Sequence, residues 1–260
     1  MPSGIPKTKN EELLDKINAL VVRTPRFLPA DDFELRKLIR EVDQLIKVDP
    51  PNGYSHLSAL WQMTGDRAQT LRHIDNAIAL DPGCRAFQEN KGTSLAHLGY
   101  FSEAQEIVRN LAAPEFGYLS EVWELGHVVG AFQTLRKSYE RAQKMNLVVT
   151  INDTDLVQRG ANVLDSVGAT DVDVARVLDV FGGVLRDHRL FHAGEGAHVG
   201  VIDEPGAQPF IEFTFDVDVS PIEAHKLYLE FVDRSLELPA VSSVVTIHCR
   251  SWGESERSAA

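Results

Sequence analysis

Gly65-Asp66-Arg67-Ala68-Gln69-Thr70-Leu71 and Gly99-Tyr100-Phe101-Ser102-Glu103-Ala104-Gln105 stand 34 residues apart and follow one plan: each closes a helix-like apolar run with glycine and opens another. A period of 34 residues is that of stacked helix-turn-helix units. One such unit cannot bury its apolar face alone, so the units must stack, and a stack leaves a curved groove suited to peptide ligands. The leading expectation is therefore an interaction protein.

Around the first glycine, Tyr54, Leu57, Leu60 and Trp61 form one apolar stripe and Leu71, Ile74, Ala77, Ile78 and Leu80 form its partner, ended by Asp81-Pro82. Around the second, Phe87, Leu95 and Leu98 precede the turn, and Ala104, Ile107, Val108 and Leu111 follow it up to Pro114. Proline cannot continue a helix and biases the residue before it away from helical angles. Upstream, the spacing predicts a helix over residues 11 to 22 with Asn10 as its cap, closed by Pro25 and Pro29. A second runs from Phe33 to Val48, capped by Asp31 or Asp32, and stops at Asp49-Pro50-Pro51.

These residues resemble a tetratricopeptide repeat: Gly65-Asp66, Ala77 and Asp81-Pro82 in one unit, and Gly92, Gly99, Phe101 and Ala104 in the next. The match covers about residues 51 to 116, and the helix ending in Asp49-Pro50 looks like the second half of an earlier unit. Departures are visible, since Thr70 stands where Ala104 stands a repeat later and the Asp-Pro endings recur at 32. The resemblance implies a concave face bearing His56, Gln62, Glu89, Asn90, Thr93 and His97. Asn90 matches the asparagine that such domains commonly use to grip a ligand backbone. His56 replaces the corresponding asparagine of the previous unit and the lysine and arginine of a carboxylate clamp are missing, which argues against a chaperone-tail receptor.

Beyond Pro114 the pattern predicts helices over Tyr118 to Val129 and from Phe132 to Ala142, then over Asp155 to Val167 and Val172 to Arg186. At residue 198 the apolar period falls to two. Ile211, Phe213, Phe215, Val217 and Val219 alternate with Glu212, Thr214, Asp216 and Asp218, a strand with one wet side that implies antiparallel pairing. Val199 to Ile202 reads as its hairpin mate, Ser220-Pro221-Ile222-Glu223 starts a helix by a capping box, and Val241 to Cys249 reads as a third strand. The expected fold is mainly α, a tetratricopeptide-like solenoid followed by a small α+β module. Its divisions are an arm and helix at 1–30, repeats at 31–190, the module at 198–250 and a disordered tail at 251–260. A three-stranded sheet with one helix is marginal alone and is expected to dock on the helices or pair with a second copy, giving a homodimer.

The net charge is −12, and from residue 191 onward four Lys/Arg face twelve Asp/Glu, so the end of the chain carries most of it. That balance opposes nucleic-acid binding, which needs clustered cations, and favours a basic protein or peptide partner. No apolar run of about 18 residues exists, so no membrane span is expected. The start Met-Pro-Ser-Gly-Ile-Pro-Lys lacks the apolar centre of a secretion signal, and Cys84 and Cys249 form no Cys-x-x-Cys pair, which together suggest a cytoplasmic protein with free thiols.

Two clusters offer an enzymatic alternative. His188 and His192 stand four apart, with His198 or Glu195 as a third ligand, a spacing used by zinc in metal-dependent hydrolases. Glu212, Asp216 and Asp218, with Asp203 and Glu204, can line a sheet face, but no His, Lys or Arg in the strand complements them. Gly194-x-Gly196-x-x-x-Gly200 is not a nucleotide fingerprint, since no strand precedes it, and Gly182-Gly183 reads as a close-packing point ahead of the alternative, a hinge. The balance favours a scaffold or inhibitor over an enzyme, with neither metal nor cofactor. A neutraliser of a basic toxin or nuclease is a further alternative.

Overall fold

Short polar side chains in front of apolar runs start the helices, because an oxygen there accepts one of the first amide N–H groups that lack an intrahelical partner. The computed structural model describes residues 8–24, 26–113, 117–191, 197–204, 206–236, 238 and 244–252. Among these the chain is mainly helical, with eleven helices and one three-stranded sheet. The helices are α1 (Lys9–Arg23), α2 (Phe33–Ile46), α3 (Pro50–Gln62), α4 (Arg67–Leu80), α5 (Arg85–His97), α6 (Phe101–Leu111), α7 (Trp123–Val128), α8 (Phe132–Lys144), α9 (Thr154–Val167), α10 (Asp171–Asp187) and α11 (Pro221–Ser235). The strands are β1 (His198–Ile202), β2 (Phe210–Val217) and β3 (Val245–Ser251). No described helix is long and apolar enough to cross a membrane.

Asp32, Asp49 and Asp66 cap α2, α3 and α4, and Ser220 with Glu223 forms the expected capping box of α11. The α1 cap is Thr8, boxed with Glu11, rather than Asn10, whose side chain serves His56 instead. Pro50 and Pro51 end one helix and also open α3 at the positions where a missing N–H costs nothing. The segment expected to be helical from Tyr118 is helical only over Trp123–Val128. Helix α8 also lacks a cap of its own. Asp171, at the start of α10, supplies one by accepting the Gln133 and Thr134 amides at 2.8 Å each.

The segments flanking Gly65 and Gly99 lie side by side: α3 packs on α4 and α5 on α6, with α4 on α5 between them. Both glycines turn through positive φ, 76° and 75°, a conformation that costs glycine nothing. After α6 the succession changes: besides α5, α6 packs chiefly on α10 rather than on α7. There Gly182 of α10 lies against the Gly99 turn.

The sheet order is β1-β2-β3. β1 pairs antiparallel with β2, Val199 opposite Phe213, as the alternation implied. β3 instead runs parallel to β2, Phe213 opposite Ile247, because α11 carries the chain back across the sheet before β3 begins. Residues 241–243, expected to open β3, lie outside the described residues. So do 253–260 of the expected tail, whereas Ser251 closes β3 and the Trp252 amide donates to the Val217 carbonyl at 2.9 Å.

Ile211, Phe213, Phe215 and Val217 are wholly buried. Phe215 meets Phe181 of α10 at 4.8 Å between ring centres and Phe101 of α6 at 5.8 Å, and Phe213 meets Phe132 of α8 at 6.3 Å. Each such side chain stabilises the fold by about 1.5–3 kcal/mol. One apolar core therefore runs from Leu95 to Ile247, through helices and sheet together, while α1, α2 and α3 share a second around Leu13, Leu35 and Leu60.

Candidate functional site

Glu89, Thr93 and His97 are spaced by four on α5 and so share one face. That face walls a cleft of about 450 Å³. Glu121, Glu124 and His127, spaced by three, form the facing wall; Asp153 and Leu156 close it at the start of α9, and Ala197, His198 and Val199 close it from β1. Four lining residues are carboxylates and none is lysine or arginine. Ala96, Leu125, Val128 and Leu156 add an apolar lining.

Two anchors hold the acidic groups in place. The Tyr118 hydroxyl donates to Glu89 Oε2 at 2.7 Å, and Trp123 Nε1 donates to the Asn152 carbonyl at 2.9 Å, fixing the backbone beside Asp153. Asp153 itself adopts a left-handed φ of 53°, and its carboxylate does not cap α9. Burial raises the Glu89 pKa, with the nearby Glu121 charge adding to it and the Tyr118 bond opposing.

Two of the three lining histidines, His97 and His127, are held toward their neutral form. Burial lowers His127 to about 4, against a smaller opposing effect of Asp153, and burial lowers His97 as well. His97 Nδ1 lies 3.1 Å from the Thr93 carbonyl, so that nitrogen carries the proton and donates. His127 Nδ1 stands 3.7 Å from Glu124 Oε2, and its Nε2 is shielded from water with no hydrogen-bond partner among the described residues. At the rim, His198 Nε2 lies 3.2 Å from Asp216 Oδ2. The arrangement accepts hydrogen bonds and charge from a cation.

No protein-family model, curated protein or solved structure matches this chain.

The six residues expected on one concave face divide in two. Glu89, Thr93 and His97 line the cleft. His56 is buried under α1, its Nε2 2.7 Å from Asn10 Oδ1, because the N-terminal helix packs on α3 where the groove would open. Gln62 accepts from Ser94 Oγ at 2.7 Å, and Asn90 donates to Ser55 Oγ at 3.2 Å, so both join neighbouring helices. Glu121, Glu124, His127 and Asp153 are not among the residues expected from the sequence. Their signal was available as polar residues every third position through an otherwise apolar stretch.

His188 Nε2 sits 2.8 Å from Glu230 Oε2 on α11, His198 faces Asp216, and His192 and Glu195 lie outside the described residues. Among the described residues no group of three or more His, Cys, Asp or Glu is placed to hold a metal. The sheet carboxylates do have polar partners, supplied by other segments rather than by their own strand. Glu212 meets His248 at 3.1 Å, Asp218 meets Arg26 at 3.2 Å, and Arg250 grips Asp216 through two bonds of 2.6 and 2.9 Å. Asp216, expected on the wet face, is buried. Burial alone would raise its pKa, but Arg250 and His198 hold it below the ordinary value.

Proposed function

We propose that this protein is a binding module that seats a basic segment of a partner protein in the acidic cleft, on a tetratricopeptide-like stack of helix pairs. The observation that carries the reading is the lining itself: Glu89, Glu121, Glu124 and Asp153 converge with no lysine or arginine among them. The side-by-side packing of α3 with α4 and α5 with α6 across glycine turns supports the repeat architecture. Lysine and arginine suit the cleft doubly, because their aliphatic stems can lie on Leu125, Val128 and Leu156 while their charged ends reach the carboxylates.

Partly exposed ion pairs contribute only about 0.2–1 kcal/mol each, so binding is salt-sensitive and depends on several at once. Nothing in this role requires turnover, and the protein acts as a scaffold or inhibitor. A reducing cytoplasm suits it: both cysteines are free, and burial pushes the Cys249 thiol up to about 12, where it is inert.

Fluorescence anisotropy with labelled short peptides tests the reading. Lysine- and arginine-rich peptides bind, glutamate-rich ones do not, and Glu121→Lys with Glu124→Lys weakens binding at least tenfold. Binding indifferent to that double reversal would refute it.

A further inference from the structure

Helix α11 is apolar on two sides. Ala224, Leu227 and Phe231 are buried toward the sheet and α10. On the opposite side Ile222, Leu229 and Leu236 are 72%, 47% and 78% exposed. Their spacing of seven places them on one line along about 21 Å of helix, drifting by only about 20° per step. Scattered exposed leucines need no explanation, but a seam at heptad spacing is the pattern by which helices pair.

Two charges flank the seam on the same side, Lys226 and Asp233, again seven apart. Both are exposed, and neither has an ion-pair or hydrogen-bond partner among the described residues. Two copies of α11 laid antiparallel about a twofold axis at Leu229 bring Ile222 of each onto Leu236 of the other and Leu229 onto Leu229. In an antiparallel pair equivalent flanks face each other, so Lys226 of each copy meets Asp233 of the other, twice. A parallel pair sets Lys226 against the opposite flank, which carries His225, Val232, Tyr228 and Ser235 and no Lys, Arg, Asp or Glu. The surface is thus complementary to itself in one orientation, as a twofold interface requires.

We infer that α11 is a self-association surface, and that two copies of this chain pair through it as an antiparallel helix dimer centred on Leu229. This inference does not rest on the acidic cleft. One helix pair covers less than the roughly 1,200 Å² of a permanent interface, so the dimer is weak and concentration-dependent.

Sedimentation velocity on the full chain, from about 10 to about 500 µM, tests it. The wild type shifts from monomer to dimer across that range. Leu229→Glu lowers the association constant at least tenfold without altering the thermal melt, since the site is exposed. Lys226→Asp alone also weakens the dimer, and combining it with Asp233→Lys restores it, an outcome that a general loss of folding does not produce. Under mild oxidation Leu229→Cys forms a disulfide-linked dimer and Ile222→Cys alone does not. A wild type that stays monomeric at the highest concentration overturns the inference. So does a dimer indifferent to both single changes, or an Ile222→Cys chain that cross-links as readily as Leu229→Cys.

Discussion

Replacing Gly182 by alanine sets a methyl group against backbone. A Cβ there would stand 2.2 Å from the Gly99 carbonyl oxygen and 2.8 Å from its carbonyl carbon and Cα. Ordinary carbon–oxygen contact begins a full ångström further out, and the Gly99 turn is fixed at φ 75°, so α10 must move. Moving it loosens the contacts that tie α10 to α6: Asp179 Oδ1 accepting the Ser102 amide at 3.1 Å, Arg186 bonded to the Gly99 carbonyl, and Arg186 over the Tyr100 ring at 4.2 Å. Overpacking of this kind costs about 3 kcal/mol. At about 2–4 °C per kcal/mol for a chain of this size, the melting temperature falls by about 6–12 °C.

The neighbouring residue is the control. A Cβ on Gly183 meets only the Arg186 and Arg234 side chains, at 3.6 Å, and alanine gains up to about 1 kcal/mol of helix propensity over glycine. Far-UV circular dichroism melts of the two variants therefore separate clearly, Gly183→Ala at or above the wild type and Gly182→Ala well below. Coincident melts would refute the packing of α10 against the α5–α6 turn.

Asp171→Ala removes both acceptors at the start of α8 and lowers stability by about 2 kcal/mol, read by urea denaturation; a change under about 0.5 kcal/mol would contradict the cap. His127 makes stability pH-dependent with a definite sign. Its folded pKa of about 4 lies below the ordinary 6.5, so the unfolded chain takes the proton first and stability falls as pH drops from 6.5 toward 4. Its share reaches up to about 3 kcal/mol at the acid end. His127→Phe flattens that part of the profile, and parallel wild-type and variant profiles would refute the burial argument.

The helix pairs α3–α4 and α5–α6 were legible because their signals are local: the glycine turns, the Asp-Pro stops and the capping aspartates each act within a few residues. Phe213 and Phe215 were readable as a buried strand face for the same reason. What periodicity cannot carry is the partner of each face. Nothing in the alternation of β2 distinguishes an antiparallel from a parallel neighbour for β3, since that is decided by the path of α11. His56 looks available for a ligand because periodicity predicts a helix over residues 11 to 22 without saying what it packs on, and only the tertiary contacts reveal that α1 covers α3. Glu89, Thr93 and His97 line the cleft together, since helical spacing fixes a shared face. The other wall comes from residues 121 to 153, more than twenty positions along the chain, and only the tertiary fold brings it opposite α5.

The central claim, that the cleft between α5 and α7 receives a basic segment, is tested most directly by an amide NMR titration of the full chain with an oligoarginine peptide at low salt. The account predicts saturable shifts concentrated at Thr93, His97, Glu121, Glu124, His127 and Asp153, fading as salt is raised. Shifts concentrated on the acidic sheet and tail, with those cleft amides unmoved, would contradict it.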